Sequence, residues 1–273
     1  MVYPKKILII RFSSIGDIVL ATSFLSTIKT QFPKSEVHFM TLDRFSSMLE
    51  NQPHIDRVLE LNSKSGYKDL YELNNFIKKS KYDKIFDLHS SIRSLFITMG
   101  LRDIVSRIKK PRLLRFFLFQ FHINKFPKNF SAIHMYHQCL DLKGRSSYPQ
   151  SVLAVSNLEK EIAKKMLKKY GVNNQFVALV PGAAWERKQW SVENYSAVIN
   201  KIVSSSNISV VMLGSDKDEI NDYISKLNNN VINLSGKTNL RQVMSVLSLS
   251  KVVVGSDTGL LHIAEALGIT VNM

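Results

Sequence analysis

The chain has 273 residues, 45% apolar and 22% charged, an ordinary balance for a globular protein with room for one large core or two modest ones. Its 37 Lys and Arg against 22 Asp and Glu give a net charge of +15, which favours nucleic acid, an anionic membrane surface or a phosphorylated substrate without choosing among them. Cys139 is the only cysteine, which excludes an intramolecular disulfide and a cysteine-based metal cluster, and no run approaches the ~20 apolar residues of a spanning helix.

In chain order, Lys5 and Lys6 precede an apolar run that imitates the start of a signal peptide, but Arg11 and Asp17 break it. Apolar runs at 6–12, 36–42, 57–61 and 84–88 predict strands, with amphipathic helices at 18–31 and 67–79. The alternation stumbles between 101 and 150, where a basic and aromatic stretch leads to a helical segment at 133–142 and a linker, Gly144-Arg145-Ser146-Ser147-Tyr148-Pro149. Helices then follow at 158–169, 192–204, 240–249 and 261–267, with strands at 176–180, 208–213, 231–234 and 251–255. Strands spaced by helices read as βαβ units and parallel sheets, so two α/β domains are expected, 1–150 and 151–273, with a cleft between them. Residues 268–273 read as the start of another strand, so either the second sheet is finished by very little or the chain is truncated.

Three polar turns follow strands, where ligands of open α/β sheets sit. In Arg11-Phe12-Ser13-Ser14-Ile15-Gly16-Asp17, Ser13 or Ser14 is a candidate helix cap, Gly16 permits close approach and Asp17 falls in the first helical turn. Taken alone, Asp17 reads first as a complement to the helix dipole. In Pro181-Gly182-Ala183-Ala184-Trp185-Glu186-Arg187-Lys188, small residues offer backbone N–H groups to an anion and the cations add charge, although a solvated basic loop fits as well. In Gly255-Ser256-Asp257-Thr258-Gly259-Leu260-Leu261-His262, a helix N-terminus entered through polar residues suits a diphosphate, with a simple cap and a packed histidine as the plain alternative. Neither a G-x-G-x-x-G fingerprint nor a Walker A pattern occurs, and His262 has no partner at metal-ligand spacing.

Ser13-Ser14-Ile15-Gly16-Asp17, Lys188-Gln189-Trp190-Ser191, Gly214-Ser215-Asp216, Ser235-Gly236-Lys237-Thr238 and Ser256 to His262 together resemble the successive motifs of the ADP-heptose lipopolysaccharide heptosyltransferases. Asp87-Leu88-His89-Ser90-Ser91-Ile92-Arg93-Ser94 and His134-Met135-Tyr136 add to the resemblance, which covers essentially the whole chain. It implies a GT-B fold of two facing Rossmann-like domains and metal-independent, inverting transfer of heptose from an ADP-sugar to the lipopolysaccharide inner core.

The resemblance makes Asp17 the general base and gives Lys188 the donor diphosphate. It assigns Asp216, Thr238, Asp257, Thr258, Gly259, Leu260 and His262 to the donor, with Asp216 at the adenosine ribose, and the tight turn of Gly182, Ala183 and Ala184 is expected to join them. Ser13, Ser14, Gly16, Arg93, Arg112, Arg115 and His134 are the expected acceptor residues. The basic and aromatic stretch, including Phe116, Phe117, Phe119 and Phe121, suits a phosphorylated lipid-linked acceptor at a membrane interface, unless its phenylalanines are core. Neither a cofactor nor nucleic acid is expected, and the picture is of a cytoplasmic monomer peripheral to the inner membrane. Family members continue past Val271, so a truncated, inactive remnant and a non-enzymatic polyanion or membrane-surface binder stay open as alternatives.

Overall fold

The computed structural model describes residues 3–128, 130–140, 147–183, 185–205 and 208–273, and divides into two compact units, Met1–Ser151 and Val152–Met273. Each unit is a parallel five-stranded sheet with helices between its strands.

The first sheet contains β1 (Lys6–Ile10), β2 (Glu36–Leu42), β3 (Arg57–Leu61), β4 (Lys84–Asp87) and β5 (Val105–Arg107), in the order β3-β2-β1-β4-β5. Ile7, Leu8, Ile9 and Ile10 are fully buried, the burial expected of a central strand covered on both faces. The helices are α1 (Ile15–Gln31), α2 (Asp43–Ser46), α3 (Tyr67–Lys79), α4 (Ile92–Ile97), α5 (Arg112–Phe121) and α6 (Ala132–His137). α1 starts three residues earlier than the apolar periodicity predicts. Ser14, in extended backbone, is its N-cap, and the Asp17 carboxylate accepts the Ser14 N–H at 3.3 Å. β5 lies in the stretch where the pattern stumbles; three half-buried residues are too few to display a strand period. The helix expected at 133–142 is shorter, α6 followed by a 3-10 turn at Gln138–Leu140, while Gly144, Arg145 and Ser146 of the linker lie outside the described residues.

The second sheet contains β6 (Phe176–Val180), β7 (Ser209–Met212), β8 (Val231–Asn233), β9 (Val252–Gly255) and β10 (Val271–Asn272), in the order β10-β9-β6-β7-β8. Its helices are α7 (Asn157–Lys169), α8 (Val192–Ser205), α9 (Glu219–Leu227), α10 (Leu240–Leu247) and α11 (Gly259–Ala266). Ser156 and Glu159 cap α7 reciprocally, and Arg241 of α10 pairs with Glu159 at 2.6 Å, which locks these two helices together. Gly255 ends β9 because nothing larger fits: a Cβ there would stand 2.2 Å from the Val180 carbonyl oxygen of β6.

Strand order reverses once in each sheet, between β1 and β4 and between β6 and β9. At such a switch point the loops leaving the carboxyl ends of the two strands run in opposite directions and open a crevice. In the first unit Arg11 and His89 stand on the loops at its switch point, and in the second Lys188 and Asp257 stand on the loops at its own.

Candidate active site

In the first unit, Arg11 leaves β1 and is buried. Its Nη1 donates to the Leu88 carbonyl at 2.7 Å, at the end of β4, while its Nη2 lies 2.6 Å from Asp17 Oδ2. Ser14 Oγ donates to the same carboxylate oxygen at 3.0 Å, and Tyr136 Oη of α6 donates to Asp17 Oδ1 at 2.9 Å. α6 is seated on α1 by a Thr27 Oγ1–His137 Nε2 bond of 3.0 Å, so Tyr136 is held where it meets the carboxylate. Burial pushes the Asp17 carboxyl up, but the Arg11 guanidinium and the hydrogen bonds from Ser14 and Tyr136 outweigh it and hold the group below its ordinary value. Asp17 is therefore ionised at neutral pH, with about a third of its side chain open to solvent.

Across the switch point, His89 packs its ring on Phe12 with centroids 4.9 Å apart. Burial, then the positive charges of Arg11 and Lys110, lower its pKa to about 4, so the imidazole is neutral at pH 7. His89 Nδ1 is buried without a hydrogen-bond partner. Its loop is anchored by fully buried Asp87, which accepts the His89 and Ser90 N–H groups at 3.1 and 2.7 Å and pairs with Arg107 at 3.2 Å. Burial and the fields of Arg11, Arg112 and Arg115 together lower the Lys110 pKa, which places these cations in one electrostatic neighbourhood. The result is an ionised carboxylate beside a neutral imidazole, with positive charge around both.

The remaining expected acceptor residues separate. Ser14 is the N-cap, Ser13 precedes it and Gly16 lies in the first turn of α1. Arg112 and Arg115 are exposed on α5. Arg93, by contrast, is turned to the Ser63 carbonyl at 3.3 Å, and His134 packs on Tyr148 with ring centroids 5.5 Å apart.

In the second unit, Lys188 Nζ and Asp257 Oδ2 stand 2.6 Å apart, each side chain about half exposed. The Lys188 ammonium holds the Asp257 carboxyl below its usual value, chiefly through their hydrogen bond. His262 Nε2 lies 3.8 Å from the other Asp257 oxygen. Thr258 is the N-cap residue of α11, yet its hydroxyl does not cap the helix and is buried without a partner. The helix start, including the Gly259 and Leu260 amides, thus offers donors beside an unengaged hydroxyl. Ser256 fixes this turn: its hydroxyl donates to the Pro181 carbonyl at 3.0 Å and contacts Tyr195 Oη at 2.9 Å.

The Gly214 and Gly236 motifs come together at the ends of β7 and β8 through a Gly236 N–H to Gly214 carbonyl bond of 3.1 Å. Asp216 is exposed there and packs on Gly236, whose φ of +70° suits glycine. Thr238 Oγ1 is another buried hydroxyl without a partner. Against Gly182 stands the Asp218 carboxylate, whose Cγ would be 2.5 Å from an added Cβ, so this turn faces an acid on its Cα side. Ala183 accepts a bond from Gln189 at 3.2 Å, and Ala184 lies outside the described residues.

Sequence reasoning quotes Arg11, His89, Tyr136 and Ser256 within motifs but gives none of them a role, and it misses Tyr195. Arg11 carried one readable signal, a cation ending a strand otherwise wholly apolar. Tyr136 carried none, since its meeting with Asp17 spans 119 positions. Among the described residues no three His, Cys, Asp or Glu side chains converge as metal ligands, and no helix is long and apolar enough to cross a membrane.

Residues 70–271 match the family model of glycosyltransferase family 9 (heptosyltransferase). Similar proteins include the lipopolysaccharide core heptosyltransferase OpsX of Haemophilus influenzae, 22% identical, with 97% of this chain and 77% of the relative aligned. Lipooligosaccharide heptosyltransferase 2 of Haemophilus ducreyi is 26% identical, with 96% of this chain and 80% of the relative aligned. Among solved structures, a glycosyl transferase family 9 protein of Veillonella parvula superposes with a TM-score of 0.82 at 19% identity, covering 98% of this chain and 79% of that one. The ADP-heptose lipopolysaccharide heptosyltransferase II of Escherichia coli gives 0.73 at 22% identity, covering 97% and 83%. At these identities the structural matches speak for the fold, two parallel-sheet α/β units of the GT-B kind.

Proposed function

From the premise that this chain belongs to glycosyltransferase family 9, we propose that it moves a heptose from ADP-heptose to the inner core of lipopolysaccharide, with inversion at the anomeric carbon. The chain is a glycosyltransferase of that family; the donor, the acceptor and the residue roles are our reading. It rests above all on Asp17, an ionised carboxylate held in the first turn after β1 by Arg11, Ser14 and Tyr136.

In this reaction the acceptor hydroxyl oxygen attacks the anomeric carbon and its proton passes to Asp17. The new C–O bond forms as the bond from that carbon to the diphosphate oxygen breaks, and ADP leaves with the electron pair. A positioned base is typically worth about 10²–10⁴-fold in rate. The leaving diphosphate gains negative charge, which Lys188 and the amides at the start of α11 would offset, with the Thr258 hydroxyl supplying one further hydrogen bond. Lys188 meets a carboxylate oxygen of Asp257, the kind of partner a phosphate oxygen would replace. Asp216, Thr238 and His262 complete the donor side in this reading, and no metal is required.

Lys110, Arg112 and Arg115 give the acceptor side the charge to hold phosphates and acidic sugars. The enzyme would then act as a monomer at the cytoplasmic face of the inner membrane. Heptose transfer from ADP-heptose to an inner-core acceptor, followed by mass spectrometry, tests the proposal. Asp17→Ala is expected to bind ADP like the parent and to lose turnover, whereas Lys188→Ala weakens ADP. Parent-rate transfer by Asp17→Ala would remove Asp17 from the base role. Salt-sensitive binding to any polyanion, indifferent to Lys188, would instead favour a charge-driven binder.

A further inference from the structure

α5 has no buried residue along its ten positions. Leu113 is 74% exposed, Phe116 55% and Phe119 78%, and their three-residue spacing puts them on one face. The phenylalanines expected as possible core are therefore half or more open to solvent, except Phe117, which is half-buried. The segment is nonetheless ordered by its own packing. Phe117 and Phe121 stack with centroids 6.0 Å apart, and Lys125 Nζ sits 4.6 Å from the Phe117 ring. His122, at φ +53°, closes the helix with its N–H on the Phe117 carbonyl.

Along this stretch of the chain the charged side chains are all cationic. No Asp or Glu occurs from 104 to 140, while Lys109, Lys110, Arg112, Arg115, Lys125 and Lys128 do. Arg112 and Arg115 precede Leu113 and Phe116 by one position, so a cationic stripe runs beside the apolar one. A helix meant only for water would turn charges outward and hide its aromatic rings. Pairing with a second copy would oppose cation to cation across the same face. An anionic bilayer answers both features: apolar side chains enter the acyl boundary while guanidinium and ammonium groups reach headgroup phosphates.

We propose that α5 docks the N-terminal unit on an anionic lipid bilayer, with Leu113, Phe116 and Phe119 inserted and Arg112, Arg115 and Lys125 on the phosphates. This deepens the reading of a lipid-linked acceptor and names the surface through which the chain meets it. The test is co-sedimentation with phosphatidylcholine vesicles, with and without phosphatidylglycerol. The parent chain is expected to sediment with the anionic vesicles and to stay in solution with the neutral ones. Leu113→Ser with Phe119→Ser should weaken anionic binding by about 10-fold or more, because inserted apolar area sets part of the affinity. Its thermal transition and ADP affinity should match the parent, since both side chains are exposed.

Equal binding by parent and double variant would overturn the proposal in favour of charge alone. Absence of binding to anionic vesicles would overturn it outright. A dimer of the parent, detected by light scattering and dissolved by the double variant, would make the face a self-interface and also overturn it. Vesicle binding without heptose transfer would leave this surface standing and remove the enzymatic reading instead.

Discussion

Arg11 joins the two sides of the first sheet's switch point: one guanidinium nitrogen lies 2.6 Å from Asp17 Oδ2 and another donates to the Leu88 carbonyl at 2.7 Å. The Asp17 carboxylate is thus registered against the loop that carries His89. The same contact fixes its charge, since Asp17 sits in an ion pair whose cation is buried. A carboxylate so stabilised is a weak proton acceptor at rest. In the proposed reaction it would become an adequate one as the acceptor oxygen bonds to carbon and its own proton turns acidic.

Replacing Arg11 with Met separates these effects. Without the guanidinium one of the influences that hold the Asp17 carboxyl low is gone, so the group titrates at higher pH than in the parent. The acid limb of the kcat/KM profile is then expected to move upward in pH relative to the parent. An unmoved limb would mean that Arg11 does not set the charge of the proposed base.

Lys188→Ala should weaken ADP by about 10-fold or more, since a charge-assisted hydrogen bond is worth roughly 1.5–3 kcal/mol. Its effect on folding should be small. With both side chains about half exposed, the pair with Asp257 adds at most about 1 kcal/mol. Titration calorimetry with ADP and a urea melt measure the two quantities. A large loss of stability with unchanged ADP affinity would make Lys188 structural.

His89 predicts a pH window. Its folded-state pKa is about 4, against an ordinary 6.5, because burial and then Arg11 and Lys110 disfavour the imidazolium. Between these values the unfolded chain binds the extra proton, so stability falls as pH drops from 6.5 to 4. His89→Gln cannot titrate and should flatten that part of the curve of urea midpoint against pH. Parallel curves for parent and variant would show that the loss belongs to other groups.

Gly255→Ala should destabilise the second unit by about 1–3 kcal/mol, the usual range for forced overpacking. The added methyl would meet a backbone carbonyl of the paired strand at 2.2 Å, and a backbone cannot turn aside as a side chain can. The same shift would move Ser256 off the Pro181 carbonyl, so ADP affinity should fall with the midpoint. A melting temperature equal to that of the parent would show that β6 and β9 have slack.

The sequence by itself determined the layout. Apolar runs such as Lys6–Ile10 and Phe176–Val180 are buried on both faces and need no partner to declare themselves, and helical periods between them require parallel crossovers. The polar turns at Asp17, Lys188 and Asp257 were legible for the same reason, as interruptions directly after strands. β5 was not, because three residues show no period, and the phenylalanines of the α5 stretch stayed open between interface and core, because exposure cannot be read in one dimension. Only tertiary structure decided that Arg11 and Tyr136 reach Asp17, that Ser256 pins the β9 turn to Pro181, and that the α5 phenylalanines face outward. The Tyr136–Asp17 and Ser256–Pro181 contacts span 119 and 75 positions, where local propensity carries no information and packing alone chooses the neighbour.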